Sequence, residues 1–227
     1  MSLYDRNYVD NSVSYEEASQ SDLSVFIKQT YQLVAASLIA GTAGGFIGMS
    51  YFKTFSWALV ILEFALLFGL FFTAKRNSTL ALVVLFAFTF VTGLTLGPTL
   101  SFYIGAGLGN VVTQAFGLTA IIFGVLSVVA MKSNYNFASW GKFLFISLIV
   151  VVIGSIINVF FLHNPMIQAI IAGISAILFS AYILYDTQQI IKGEYDSPIM
   201  AAVSLYLDIL NLFISLLHIL GIFSRDD

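Results

Sequence analysis

Hydrophobic residues fill most of the chain in seven long, nearly continuous runs that short polar breaks separate. The runs occupy positions 26–50, 55–74, 78–102, 108–131, 139–162, 166–191 and 199–222. Each run has at least the roughly 20 residues that a helix needs to cross the hydrocarbon of a bilayer. A membrane β-barrel would instead alternate apolar and polar residues over short segments. The pattern therefore predicts an all-α integral membrane protein, folded as a bundle of seven transmembrane helices.

Composition supports this fold class and excludes several functions. Of the 227 residues, 59% are apolar and 9% are charged, whereas soluble domains have about 45–50% apolar and about 25% charged residues. This excludes a soluble enzyme, and nine Lys and Arg against twelve Asp and Glu leave no basic patch for nucleic acid. The absence of cysteine excludes a disulfide framework and a thiolate site. We expect a monomer in contact with membrane lipid, with no cofactor and no enzymatic activity.

The N-terminal region differs from the rest of the chain in composition. Residues 1–25 form a polar, acidic segment, which we interpret as a cytoplasmic tail, and residues 26–227 form the transmembrane domain. With seven spans, the tail, every second loop and the adjoining helix ends share one side, which carries Arg6, Lys28, Lys75, Arg76, Lys132, Lys142 and Lys192. The other side carries Lys53 and Arg225. Because basic residues concentrate on the cytoplasmic side, we expect the N-terminus in the cytoplasm and the C-terminus outside.

Three acidic residues, Glu63, Asp186 and Asp208, lie inside apolar runs. A charge at the bilayer centre costs roughly 2.5–3.5 kcal/mol on insertion scales, so such residues usually face the protein interior or a water-filled path. The sixth and seventh runs form an antiparallel hairpin, which can bring Asp186 and Asp208 to one level. For Glu63, a neutral side chain held by one hydrogen bond is as good an interpretation as a functional one.

Polar residues recur along one face of the seventh run. Ser204, Asp208, Asn211, Ser215 and His218 follow at spacings of 4, 3, 4 and 3, which place them along a single helical face. The sixth run has a shorter counterpart in Ser175, Tyr182, Asp186 and Gln189. Hydrogen bonding between helices explains the serines and the histidine. Carboxylates with few cationic partners are too costly for that role alone, so the two aspartates favour a function.

The chemistry of the aspartates follows from their pairing. Two carboxylates close together in a low dielectric cannot both ionise readily, so they titrate as one unit. Hard cations such as Ca²⁺ prefer oxygen ligands, and this face offers such oxygens but too few for a closed cage. We therefore predict a weak, pH-dependent Ca²⁺ site and gate at Asp186 and Asp208, with Ca²⁺ as the permeant ion. The predicted ion path also includes Glu63, Asn211, Ser204 and Ser215. Protonation of the pair would also reset a salt bridge to Lys75 or Arg76.

Several segments together resemble the Bax inhibitor-1 family, also called the transmembrane Bax inhibitor motif proteins. The resemblance runs from about residue 26 to the end and is carried by Gly93-Leu-Thr-Leu-Gly-Pro98-Thr-Leu100, Ala115-Phe-Gly-Leu-Thr-Ala-Ile-Ile-Phe123, Tyr182-Ile-Leu-Tyr-Asp186-Thr-Gln-Gln-Ile190, Ser204-Leu-Tyr-Leu-Asp208-Ile-Leu-Asn-Leu-Phe213 and Ile61-Leu-Glu63. It implies a seven-helix fold with the last helix near the centre. It also implies a pH-sensitive calcium leak channel in which Asp186 and Asp208 match the gating pair.

The resemblance further suggests the bacterial branch of the family, and hence the cell (inner) membrane. In that branch a basic residue at the cytoplasmic end of the second span latches the pair; the matching position here is Ala74, with Lys75 and Arg76 beside it. Some bacterial relatives modulate a membrane-bound AAA protease, so the alternative function is a regulatory protein with the N-terminal tail as its contact. An intramembrane aspartyl protease is disfavoured because no Gly-x-Gly-Asp motif surrounds either aspartate.

Overall fold

Seven α-helices form the bundle in the part of the chain that the structure describes. The computed structural model describes residues 3–52 and 54–224, with side chains from residue 20 onward. The helices are α1 Leu3–Tyr51, α2 Trp57–Thr73, α3 Ser78–Gly105, α4 Gly109–Lys132, α5 Gly141–Ile157, α6 Pro165–Ile191 and α7 Pro198–Phe223. A 3₁₀ turn (Phe137–Trp140) precedes α5 and a π-helical turn (Asn158–Leu162) follows it. No strand occurs among the described residues.

The predicted all-helical membrane class is confirmed, and each apolar run corresponds to one helix. Among the described residues, six helical segments are long and apolar enough to cross a membrane. One of them is α5 together with its flanking turns (Phe137–Leu162), whereas α2 is a shorter apolar helix of 17 residues. At 1.5 Å per residue, α2 extends roughly 25 Å, near the lower limit for a span.

The N-terminal segment is continuous with the first apolar helix, and its division from the transmembrane domain stays a prediction. The helix α1 begins at Leu3 and continues without a break to Tyr51, so the backbone does not mark the boundary at residue 25. Of the basic residues used to predict the orientation, Lys53, Arg225 and the side chain of Arg6 lie outside the described residues.

Side-chain caps explain where the last two helices begin. The Asn164 side chain accepts hydrogen bonds from the backbone N–H groups of Met166 and Ile167. The Ser197 hydroxyl accepts one from the N–H of Met200. In both cases the next residue, Pro165 or Pro198, occupies the first helical position, where its missing N–H costs nothing. These caps fix the short connections that precede α6 and α7.

Three loops meet at one end of the bundle, which we call the lysine end after Lys75, Lys132 and Lys192. Lys75 in the α2–α3 loop pairs with Asp196 in the α6–α7 loop at 3.4 Å. Lys192 Nζ donates to Asn136 Oδ1 of the α4–α5 loop at 2.9 Å. The lysine end therefore comprises the α2–α3, α4–α5 and α6–α7 loops.

The opposite end, which we call the far end, holds the other connections. Ser101 near the end of α3 donates to the carbonyl of Met49 near the end of α1. Trp57 at the start of α2 stacks on Phe160 after α5, with ring centroids 6.2 Å apart. The helices thus alternate in direction between the two ends.

Helix α7 is the most enclosed of the six long apolar helices. It packs against α1, α3, α4 and α6. In its most apolar stretch of 18 residues, 56% is buried inside the protein, compared with 11% for the corresponding stretch of the segment that contains α5. Its buried face carries Asp208 and Ser215 among apolar residues. Any group on this face is surrounded by protein rather than lipid.

Close backbone contact joins α1 to α3. A Cβ atom on Gly48 of α1 would lie 2.7 Å from the carbonyl oxygen of Leu94, and one on Gly97 of α3 would overlap the backbone of Gly48. Small residues allow this approach, as is typical of membrane helix pairs. α3 continues through Pro98 without interruption.

Candidate functional site

Asp186 of α6 and Asp208 of α7 lie side by side in the bundle. Each residue is only 5% exposed, and the two carboxyl groups are within hydrogen-bonding reach of each other. Asp208 Oδ2 is buried and receives no hydrogen bond from any described N–H or hydroxyl. The α6–α7 hairpin therefore does bring the two carboxyl groups together, at a point where one oxygen still lacks a donor.

A cavity of about 550 Å³ adjoins this pair between α5, α6 and α7. Apolar residues such as Leu148, Ile171 and Phe179 supply much of its wall. Its polar lining consists of Ser155, Gln168, Ser175, Tyr182, Asp186, Ser204, Asp208, Asn211, Ser215 and His218. All five members of the polar face of α7 line this cavity, so the face points into the space beside α6.

Two polar side chains on this face of α7, Asn211 and Ser215, hydrogen-bond within their own helix. Asn211 Nδ2 donates to the carbonyl of Leu207 at 2.7 Å, and the Ser215 hydroxyl donates to the carbonyl of Asn211 at 2.7 Å. Both bonds stay within α7. These side chains therefore present their remaining polar surface to the cavity, which helix packing alone does not require.

Glu63 lies away from this cavity. It sits on α2, partly buried, within hydrogen-bonding reach of Thr95 on α3, and it is not among the cavity-lining residues. The structure thus gathers Ser204, Asn211 and Ser215 of the predicted ion path beside the aspartates but leaves Glu63 outside. The contact with Thr95 matches the interpretation of Glu63 as a side chain held by a hydrogen bond.

The predicted latch residues lie at the lysine end, on the surface. Lys75 pairs with Asp196 rather than with the carboxylate pair, and both side chains are about three-quarters exposed (74% and 75%). Arg76 is exposed in the same turn. A direct latch of either residue on Asp186 or Asp208 is not formed in this structure and stays a prediction.

Sequence reasoning missed polar groups at the far end of the cavity. Asn158, only 4% exposed, donates from Nδ2 to Gln168 Oε1 at 3.1 Å, and Gln168 lines the cavity. The sequence did contain a signal for this contact, namely an asparagine inside the apolar run 139–162. A buried amide in a membrane span needs a hydrogen-bond partner, so Asn158 indicates a second polar residue beside it. Ser155, one turn before Asn158, lines the same wall.

The site offers oxygen atoms rather than a metal cage. No group of three or more His, Cys, Asp or Glu side chains is placed to hold a metal among the residues that the structure describes. Two carboxyl groups with the Asn211 amide and nearby hydroxyls suit a hard cation that keeps some of its water. The weak Ca²⁺ site at Asp186 and Asp208 stays a prediction.

Comparison with known proteins identifies the family. The family model described as "Inhibitor of apoptosis-promoting Bax1" matches residues 23–225. A protein of Helicobacter pylori strain J99 is 51% identical over 100% of both chains. The "Modulator of FtsH protease YccA" of Escherichia coli K12 is 36% identical over 74% of this chain and 77% of its own. The "Bax inhibitor 1" of Schizosaccharomyces pombe is 30% identical over 96% of this chain and 84% of its own. The resemblance in the sequence motifs is thus confirmed: the chain belongs to the Bax inhibitor-1 family.

Proposed function

We propose that this protein is a multi-pass protein of the inner membrane with seven spans, α2 included, and α7 at the centre. A relative from Escherichia coli O6:H1 is named "Inner membrane protein YccA", which supports the location. The lysine end would face the cytoplasm, because Lys75, Lys132 and Lys192 gather there. The N-terminus would then be cytoplasmic and the C-terminus outside.

Within this membrane, the protein would modulate FtsH or a similar membrane-bound protease. The observation that carries this proposal is the name of the Escherichia coli relative, "Modulator of FtsH protease YccA", at 36% identity over 74% of this chain. The start of α1 offers a contact for the protease, because residues 1–25 are polar and acidic and precede the apolar run at 26–50.

The test is a reconstituted protease assay. Purified protease and a membrane substrate are mixed with the full chain or with a chain that lacks residues 2–19. The truncation ends before Leu23, so the approach of Leu23 to Gly193 of the α6–α7 loop is kept. We expect the full chain to change the degradation rate at least twofold and the truncated chain to have no effect. Equal rates with and without the full chain would reject this function.

The geometry supports a second activity, a proton-controlled leak of Ca²⁺. The observation that carries it is the buried pair of Asp186 and Asp208 beside a cavity lined by the polar face of α7. Ca²⁺ would pass along Ser204, Asn211 and Ser215 and bind weakly at the pair. Protons would compete with it there, because a protonated carboxyl is a poorer cation ligand.

This activity is tested by Ca²⁺ entry into dye-loaded proteoliposomes between pH 5 and pH 8. The variants are the parent and the double substitution Asp186→Asn with Asp208→Asn, with Asp22→Asn as a matched control at an exposed carboxylate of α1. We expect the parent and the control to leak with the same pH dependence and the double variant to lose that dependence. No entry above that into empty liposomes, with folded protein, would reject the leak and leave the regulatory function.

A further inference from the structure

The cavity stops abruptly toward the lysine end. On α6 its lining ends at Asp186, and on α7 its lining begins at Ser204. None of the residues from Thr187 to Val203 lines it, although the chain passes through the α6–α7 loop between those two points. Something in that stretch therefore separates the carboxylate pair from the lysine end.

Tyr195 lies at this stopping point. Its hydroxyl is within hydrogen-bonding reach of both Asp186 and Ser204, the two residues at which the lining ends. Burial, and next the charge of Asp186, raise the pKa of this hydroxyl. The phenol therefore stays protonated near neutral pH and can donate to the carboxylate.

The ring of Tyr195 is held by α1 and α7. It packs, partly buried, against an apolar cluster of Val34, Ile190, Ala201, Ala202, Leu205 and Ile209, next to Phe26 and Ile27. Three members of this cluster, Ile190, Ala201 and Ala202, lie between the ends of the cavity lining at Asp186 and Ser204 and the lysine end. An aromatic ring packed among apolar side chains excludes water from this position. The Tyr195 hydroxyl lies on the cavity side, within reach of Asp186 and Ser204.

The loop that carries Tyr195 is fixed on both sides. Gly193, at φ +68, takes the left-handed conformation, and a Cβ there would lie 3.0 Å from a methyl carbon of Leu23 in α1. The neighbour on the other side, Asp196, holds Lys75. The ion pair thus connects the α2–α3 turn to the residue next to Tyr195.

We propose that Tyr195 closes the lysine end of the cavity over Asp186 and Ser204, and that the Lys75–Asp196 ion pair positions the closed loop. The effect of this closure on ion flux rests on the proposed Ca²⁺ leak, whereas the closure itself does not depend on that proposal. An exposed ion pair is weak and is screened by salt. Loss of the Lys75–Asp196 ion pair therefore raises the accessibility of the cavity from the lysine end only a few-fold. Loss of the aromatic ring of Tyr195 removes the barrier itself.

Cysteine accessibility tests the closure without relying on flux. The chain contains no cysteine, so Ser175→Cys places a single thiol in the cavity wall. A membrane-impermeant maleimide is applied to inverted and to right-side-out vesicles. Ser78→Cys and Asn110→Cys, both exposed, report the lysine end and the far end and so show which face is labelled.

We expect Tyr195→Ala to speed labelling from the lysine end by about tenfold or more. Asp196→Asn and Lys75→Gln should speed it roughly 2- to 5-fold, and labelling from the far end should not change. Tyr135→Ala is the matched control, a tyrosine at the same end whose side chain is 55% exposed. Tyr195→Phe keeps the ring and should fall between the parent and Tyr195→Ala.

Labelling of Tyr195→Ala and Tyr195→Leu at the parent rate, with Ser78→Cys labelled normally, would overturn the proposal. Two replacements are used so that one misfolded variant does not decide the result. Faster labelling without Ca²⁺ entry in any variant would support the closure and reject the leak. Faster Ca²⁺ entry at unchanged labelling would reject the closure and leave the leak in place.

Discussion

Gly93 of α3 and Gly41 of α1 touch backbone to backbone. A Cβ on Gly93 would overlap the carbonyl group of Gly41, and the backbone there leaves no room for a methyl group. Gly93 also opens the first segment by which the sequence resembles the Bax inhibitor-1 family. The close contact of α1 with α3 therefore gives a physical reason for glycine at this position.

We expect Gly93→Ala to destabilise the protein by about 1–3 kcal/mol, as overpacking a tight interface does. The matched control is Gly124→Ala in α4, where an added Cβ meets nothing within 4 Å. Alanine in a helix interior gains roughly 0.5–1 kcal/mol over glycine, so the control should be neutral or stabilising. Thermal unfolding in detergent measures both, and equal midpoints for the two variants would contradict the close contact.

Two neighbouring glutamines at the end of α6 should respond differently to substitution. Gln188 accepts from the N–H of Phe137 at 2.7 Å and donates to the carbonyl of Tyr135 at 2.8 Å. Gln188→Leu leaves the buried N–H of Phe137 without this partner, which costs about 1–3 kcal/mol, and also removes the donor to the partly buried carbonyl of Tyr135. Gln189 donates only weakly, at 3.4 Å, to the Tyr185 hydroxyl, so Gln189→Leu should cost less. Chemical denaturation of both variants measures the two losses of unfolding free energy, and equal losses would contradict this prediction.

Tyr206 joins α7 to α3 by hydrogen bonds in the core. Its hydroxyl bonds with that of Thr92 and donates to the carbonyl of Thr89 at 3.2 Å, and the residue is 2% exposed. We expect Tyr206→Phe to lower the unfolding free energy by about 0.5–1.5 kcal/mol. Thr92→Ser keeps the hydroxyl and serves as the control. A parent-like stability of Tyr206→Phe would show that these bonds contribute nothing.

Flux through the cavity should depend on Asn211 more than on Glu63. Asn211 lines the cavity, whereas Glu63 lies within reach of Thr95 outside it. We expect Asn211→Leu to reduce Ca²⁺ entry into proteoliposomes at least several-fold and Glu63→Gln to change it less. The reverse order would return Glu63 to the ion path and move the path toward α2.

The sequence predicts the helices and one face of the site for simple reasons. Long apolar runs set the positions of the helices, because each must cross the same thickness of hydrocarbon. The regular spacing from Ser204 to His218 sets the orientation of α7, since polar groups on one side of a membrane helix turn toward protein or water. The hairpin then brings Asp186 close to Asp208.

Other contacts depend on relationships that no local pattern contains. The helix α2 has Glu63 as its single charged residue, so nothing in its spacing indicates whether that residue faces the cavity or Thr95. The placement of Tyr195 depends on the left-handed conformation at Gly193 and on packing against α1. The ion pair of Lys75 with Asp196 joins two loops that are distant in sequence. These features emerge only when all the helices are packed together.

The size of the cavity has a consequence for the hydration of an ion. A water molecule occupies about 30 Å³ in the liquid, so about 550 Å³ holds on the order of ten or more waters. A cation could then reach the carboxylate pair while retaining much of its hydration shell. Selection in such a chamber would depend on the charge of the ion more than on its radius, and Mg²⁺, which gives up its water reluctantly, would not be excluded by dehydration.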